Sequence, residues 1–153
     1  MSNSVTLNLP YPLSANRYWR TYMPKGFKAP VTVLSAEAKT YKNDVKLLAK
    51  LAGIVRPITG RVAISYTLFP NCPKDWKKRA AKDPGSWDDT VQCIDLDNAQ
   101  KVLMDSLKGV VIEDDKWVRR IVAERAEPEP DGEARLVVTI SAIESNVQQG
   151  ALL

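Results

Sequence analysis

The sequence predicts an α+β fold in two layers: a mixed, mostly antiparallel sheet with two helices packed on one face. Three observations carry that expectation. Apolar residues alternate with polar ones in several segments, they recur at steps of three and four in two others, and no internal repeat or low-complexity tract interrupts the series. With 153 residues, 44% hydrophobic and 26% charged, the chain can bury about two thirds of its unfolded surface. That suffices for one core without disulfide or metal staples. A single domain over residues 1–144, with a frayed tail at 145–153, is therefore expected.

Val5, Leu7 and Leu9 form the first alternating run, which stops at Pro10. Residues 13–30 mix Arg17, Tyr18, Trp19, Arg20, Tyr22, Lys25 and Lys28 without helical period and read as a loop, after which Val31 and Val33 suggest a short strand. Ser35 is a plausible N-cap for a helix whose Ala38, Tyr41, Val45, Leu48 and Ala52 recur on one face and which ends at Gly53. Val62, Ile64, Tyr66 and Leu68 make 61–69 a strand. Residues 70–92 hold three prolines and no clean period, so a long loop with a short helical turn around Ala80 is expected. Residues 93–97 read as an extended piece feeding a helix over 98–108. Asp97 and Gln100 are spaced as its capping box, Val102, Leu103 and Leu107 form its buried stripe, and Gly109 is its stop. Further strands are expected at 110–112, 117–126 and 134–143, the last two joined through a hairpin turn at 128–132.

The chain has no histidine. That excludes serine and cysteine nucleophiles with a histidine base, His-bearing zinc sites and histidine-based nucleases. Cys72 and Cys93 are too far apart for a CxxC pair and too few for a four-cysteine zinc site, and read as reduced thiols of a cytosolic protein. No run approaches the roughly twenty apolar residues of a membrane span, and the first ten residues lack the regions of a secretory signal. A cytoplasmic protein with no membrane contact is expected. The net charge of +4 hides a division: residues 1–82 carry +12 and residues 83–153 carry −8. One half suits a polyanion and the other suits cations.

The informative stretch is Asp95-Leu96-Asp97-Asn98-Ala99-Gln100-Lys101, followed by Asp105 and by Glu113-Asp114-Asp115. On an extended segment Asp95 and Asp97 present two carboxylates to one face, and Lys101 lies one helical turn beyond Asp97. The turn at 113–115 could bring further carboxylates alongside. Such a cluster repels itself unless cations neutralise it, and Mg²⁺ suits a few carboxylates plus phosphate oxygens. The pattern fits metal-dependent phosphodiester cleavage, with Lys101 placing positive charge at the reacting phosphate. Each residue also has a plainer use. Asp97 can serve as a helix cap, Lys101 can form solvated ion pairs with Asp97 and Asp105, and Asp114 and Asp115 can be turn residues.

These motifs together resemble the RusA family of Holliday junction resolvases. The resemblance lies in Asp95-Leu96-Asp97-Asn98 with Lys101, the helix continuing through Val102 to Gly109, and Glu113-Asp114-Asp115-Lys116-Trp117-Val118. It extends to Leu9 through Trp19 and to Ser35-Ala36-Glu37-Ala38 with Tyr41, and it covers nearly the whole chain from Val5 to about Ile143. It implies a homodimeric, Mg²⁺-dependent endonuclease, with Mn²⁺ able to substitute, that resolves four-way DNA junctions by paired symmetric nicks in a bacterium, phage or prophage. It implies that Asp95, Asp97 and Asp115 are metal-binding catalytic aspartates and that Lys101 is the essential lysine. Asp114 matches a neighbouring acidic position and Asp105 a helix aspartate.

The family often carries arginines immediately before Asp-Leu-Asp. Here Gln92-Cys93-Ile94 stand there, and the basic cluster Lys74, Lys77, Lys78, Arg79 and Lys82 lies upstream beside Trp76 and Trp87. With Arg17 and Arg20, that cluster is the expected DNA-binding set. Loop-anchoring packing is the favoured use of Trp76 and Trp87, while Arg17, Tyr18, Trp19 and Arg20 suit junction contact and core packing equally. Two other functions fit part of the pattern: a catalytically silent branched-DNA binding protein and a small phosphoesterase acting on nucleotides.

Overall fold

A computed structural model describes residues 4–144 of the chain; the tail expected at 145–153 lies outside the described residues. In chain order they form β1 (Ser4–Pro10), the single turn α1 (Ala15–Tyr18), β2 (Trp19–Tyr22), β3 (Val31–Leu34), α2 (Ala36–Leu51), β4 (Val62–Phe69), α3 (Trp76–Lys82), α4 (Leu96–Leu107), β5 (Val118–Arg125) and β6 (Arg135–Ala142). Turns of 3-10 type lie at Trp87–Thr90 and Asp115–Trp117.

Alternation along the strands decides which face is covered. Leu7 and Leu9 on β1, Val62, Ile64, Tyr66 and Leu68 on β4, and Leu136, Val138 and Ile140 on β6 are buried. The intervening residues are more exposed. The strands form one sheet in the order β1-β6-β4-β5, and β2 pairs with β3 in a separate two-stranded sheet. β6 is antiparallel to both β1 and β4. β4 and β5 are parallel, an arrangement that the long helix-bearing connection through α4 permits.

The core is completed by Ala38, Tyr41, Val45 and Ala49 of α2 and by Ala99, Val102, Leu103 and Leu107 of α4. Ser35 caps α2 as expected, its Oγ accepting the Ala38 N–H at 3.1 Å. The fully buried Ser106 donates to the Val102 carbonyl at 2.7 Å, so its hydroxyl is satisfied. Gly109 takes a φ of +77° just past the end of α4, a conformation that side chains resist.

Four expectations are corrected. The strands at 118–125 and 135–142 are not a hairpin: β6 passes across to the far side of β4. The charges decide it, because Arg119, Arg120, Glu124 and Arg125 suit an edge, whereas Leu136, Val138 and Ile140 suit the interior. Residues 110–112 are not a strand. Val111 and Ile112 are apolar because the chain folds back under the end of α4, where both their N–H groups bond to the Leu107 carbonyl. Helix α4 starts at Leu96 rather than Asn98, with Asp95 in the capping position in place of Asp97. Finally, 13–30 is not merely loop, for it contains α1 and β2. The short helix expected around Ala80 is present as α3.

Candidate active site

The first turn of α4 carries the two leading carboxylates, and the surrounding fold holds that turn without using them. Tyr11 on one side accepts the Ile94 N–H at 2.8 Å. From the sheet below, the Tyr66 hydroxyl lies 3.2 Å from both the Leu96 carbonyl and Gln100 Oε1. Gln100 is thereby engaged with Tyr66 and does not form the expected capping box with Asp97. Burial raises the pKa of both tyrosine hydroxyls; the charge of Asp97 raises Tyr66 further, while the Ile94 N–H works against the rise at Tyr11. Ahead of this turn, Arg125 Nη2 binds the carbonyls of Asp88 and Val91, each at 3.0 Å, and so fixes the incoming segment. Sequence reasoning missed Tyr11, Tyr66 and Arg125. Their signal was hidden because two of them also read as ordinary strand or loop aromatics and the third as a surface charge.

Asp95 and Asp97 are exposed, and among the described residues neither carboxylate takes part in an ion pair or a side-chain hydrogen bond. Lys101 is likewise exposed and outside every ion pair found there. The solvated ladder Asp97–Lys101–Asp105 is therefore not formed. Asp105 turns to other partners: it pairs with Lys42 of α2 at 3.4 Å and accepts the hydroxyl of Tyr18. A broad groove of about 1300 Å³ runs beside Asp95 and Asn98, bounded by Tyr11, Tyr41, Arg17 and Arg79.

Asp114 and Asp115 sit at the other end of α4. Asp114 caps the 3-10 turn by accepting the Lys116 N–H at 3.3 Å, and it lies 3.9 Å from Lys108 Nζ at the helix C-terminus. Its carboxyl is held below the ordinary value, first by the hydrogen bond with Asp115 and then by the Lys116 N–H. Glu113 accepts the Gly60 N–H at 2.8 Å. Asp115 is exposed. With 12 residues, α4 is about 18 Å long. Leu96 is tied to Tyr66, past the middle of β4, while Val118, three residues after Asp115, pairs with Val62 at the start of that strand. Asp115 therefore lies far along α4 from Asp95 and Asp97, and among the described residues no three acidic or cysteine side chains gather closely enough to hold one ion.

The expected DNA-binding residues divide by environment. Arg20, Lys74, Lys77, Lys78 and Lys82 are exposed. Arg17 is exposed but paired with Glu37 at 3.0 Å. Arg79 binds Asp75 at 2.9 Å and the Thr90 carbonyl at 3.2 Å, bracing α3 against the following turn. Trp87 is buried, donates to Glu127 at 2.8 Å and stacks at a tilt on Trp76, the anchoring use that was favoured. Tyr18 is buried in the core, whereas its neighbour Trp19 is exposed.

Residues 10–141 match the protein family described as Endodeoxyribonuclease RusA. The chain belongs to the RusA family. It is thus a crossover junction endodeoxyribonuclease by family, and the α+β architecture with a mixed four-stranded sheet agrees with that membership. No curated protein matches the chain. None of the described helices is long and apolar enough to cross a membrane.

Proposed function

We propose that this RusA-family protein is a Mg²⁺-dependent nuclease of the cytoplasm that resolves four-way DNA junctions by paired symmetric nicks, acting as a homodimer. The observation that carries the reading is the start of α4: Asp95, Asp97 and Lys101 stand exposed and, among the described residues, unpaired, next to a segment that Tyr11, Tyr66 and Arg125 hold in place. The donor set of carboxylate oxygens fits a hard cation that keeps several waters. Asp95, Asp97 and Asp115 would hold the ion. When bound, it supplies a Lewis acid for the phosphate oxygens. Lys101, one turn beyond Asp97, sets an ammonium where negative charge grows on the reacting phosphate. Arg20, Lys74, Lys77, Lys78 and Lys82 grip DNA phosphates, while Arg17 and Arg79 contribute less because each is already paired.

The homodimer is supported by two features. Asp95 and Asp97 stand at the start of α4 and Asp115 beyond its end, so a second copy that supplies Asp115 would complete the set. The free edge of the sheet suits that copy. β5 is exposed along nearly all of its eight residues, and Arg120, Val122 and Glu124 share the sheet face turned away from the buried residues of β4. Antiparallel pairing of two β5 strands about Val122 sets Arg120 against the partner's Glu124 and the reverse, with both valines at the two-fold axis. It also carries the partner's Asp115 towards the Arg125 end of β5, the end that holds the segment leading to Asp95.

A synthetic four-way junction compared with linear duplex of the same sequence, in Mg²⁺ or EDTA, tests the reading. Paired nicks confined to the junction, dependent on Mg²⁺ and abolished in Asp97→Asn without loss of junction binding, are expected. Binding with no nicking in any divalent metal would make the protein a silent branched-DNA binder. Hydrolysis of free nucleotides with no preference for the junction would make it a small phosphoesterase.

A further inference from the structure

Residues 19–34 form a unit that stands apart from the main sheet. Among the described residues β2 and β3 pair only with each other, and every residue of β2 is exposed. The connection between them is ordered by a turn in which Phe27 N–H bonds to the Pro24 carbonyl at 3.1 Å and Gly26 takes a φ of +86°. A positive φ at the third position of such a turn calls for glycine. The turn holds Phe27 outward at 61% exposure, with Met23, Trp19 and Tyr22 also exposed at 55, 49 and 40%. Single exposed apolar residues mean little, but four lie on one short hairpin, with Trp19 and Tyr22 on its opposite faces. Around them stand Arg20, Lys25 and Lys28, and the first acidic residue of the whole chain is Glu37. Arg20 lies over the Tyr22 ring, 4.7 Å from its centroid.

Aromatic faces among cations, on a hairpin whose residues 19–34 include no acid, match a polyanion that exposes flat apolar surfaces. Stacked duplex offers phosphates only, whereas a branch point also offers the faces of unstacked bases. The root of the hairpin is fixed to the catalytic helix. Tyr18, which leads into β2, donates to Asp105 of α4, and Lys42 of α2 joins the same carboxylate. Ser35 at the end of β3 closes the root, donating through Oγ to the Arg17 carbonyl at 2.6 Å and through N–H to the Tyr18 carbonyl at 2.9 Å. Asp105 lies one turn beyond Lys101 and two beyond Asp97, or about 12 Å along the helix from the latter.

We propose that the β2–β3 hairpin is a wedge that enters the opening at a DNA branch point, where Phe27 and Trp19 stack on unstacked bases while Arg20, Lys25 and Lys28 hold the flanking phosphates. The proposal rests on the junction-nuclease reading and adds to it the element that tells a branch from a duplex. Its anchorage on α4 fixes the distance between branch point and cut.

The test uses the full chain in Ca²⁺ and a junction carrying 2-aminopurine at the branch, beside linear duplex. The wild-type protein is expected to change the 2-aminopurine fluorescence. In Phe27→Ala, with an unchanged melting temperature, that change is expected to disappear and junction affinity to fall about tenfold, while duplex affinity stays level; Phe27→Trp is expected to restore both. An unaltered fluorescence response and affinity in Phe27→Ala, Trp19→Ala and the double variant would overturn the wedge. Equal losses on junction and duplex would also overturn it, making the hairpin a general phosphate contact. Wild-type cleavage in Mg²⁺ separates the two ideas. Junction-specific nicking with silent hairpin variants removes the wedge alone, whereas no preference for the junction in the wild type removes the nuclease reading and the wedge with it.

Discussion

Four acidic residues and a lysine around α4 differ in what the fold has already done with them. Asp114 is committed to the turn and to Lys108, and Asp105 to Tyr18 and Lys42. Among the described residues, Asp95, Asp97 and Lys101 are not committed at all. A charged side chain left unpaired on the protein is free to meet charge on a substrate, and that distinction assigns roles where the residue types alone do not. Lys101→Met removes the ammonium but, among the described residues, no ion pair and almost no burial. It is expected to leave melting temperature and junction affinity near wild type while lowering kcat by about 10²- to 10³-fold, the usual effect of deleting one charge-stabilising donor. Single-turnover cleavage at saturating protein reads the change directly. A loss of affinity that accounts for the whole effect would make Lys101 a phosphate-binding residue instead.

At the scale of elements, tyrosine hydroxyls tie the pieces together. Tyr11 holds the segment before α4, Tyr18 joins α1 to α4, Tyr41 donates from α2 to the Pro10 carbonyl at 2.9 Å, and Tyr66 holds the first turn of α4 from the sheet. All four are raised above the ordinary value of 10.0, with burial the largest cause in each. The folded chain therefore keeps these protons to higher pH than the unfolded chain does. Their contribution to stability is complete below pH 10 and is lost as pH rises above it. The urea midpoint is expected to decline on the alkaline side of pH 10, and tyrosinate absorbance to rise at higher pH in the folded protein than in urea. Identical absorbance titrations in both states would refute this.

The same ties show why the sequence was legible only in part. Periodicity found α2, α4, β1, β4 and β6, since one buried face dictates their pattern. It failed where two different causes give the same letters. Val110, Val111 and Ile112 look like a strand but are packing beneath a helix end, and Tyr18 and Trp19 look equivalent although one is core and the other solvent-facing. The order of strands is a long-range choice that local pattern does not encode, so β5 and β6 read as a hairpin. The candidate acidic residues of the site were visible in Asp95-Leu96-Asp97 and Asp114-Asp115, and Lys101 beside them; that the two acidic groups stand at opposite ends of one helix was not.

That separation has its consequence at the scale of the whole molecule. If each ion is held by Asp95 and Asp97 of one subunit and by the partner's Asp115, two inactive proteins can rescue each other. In a heterodimer of Asp97→Asn and Asp115→Asn, one site carries both lesions and the other carries none. If each site lay within one chain, both sites of that heterodimer would carry a lesion. Heterodimers isolated with two different affinity tags are therefore expected to regain Mg²⁺-dependent nicking of the junction, as single rather than paired nicks, while either variant alone stays silent. Mn²⁺ binding followed by electron paramagnetic resonance gives a readout independent of turnover, with one tight ion expected per heterodimer. Val122→Lys, which places like charges face to face at the two-fold axis, is expected to shift the dimer towards monomer in sedimentation and to weaken Mn²⁺ binding in parallel. Full metal affinity in a proven monomer, or a silent heterodimer, would return the complete site to a single chain.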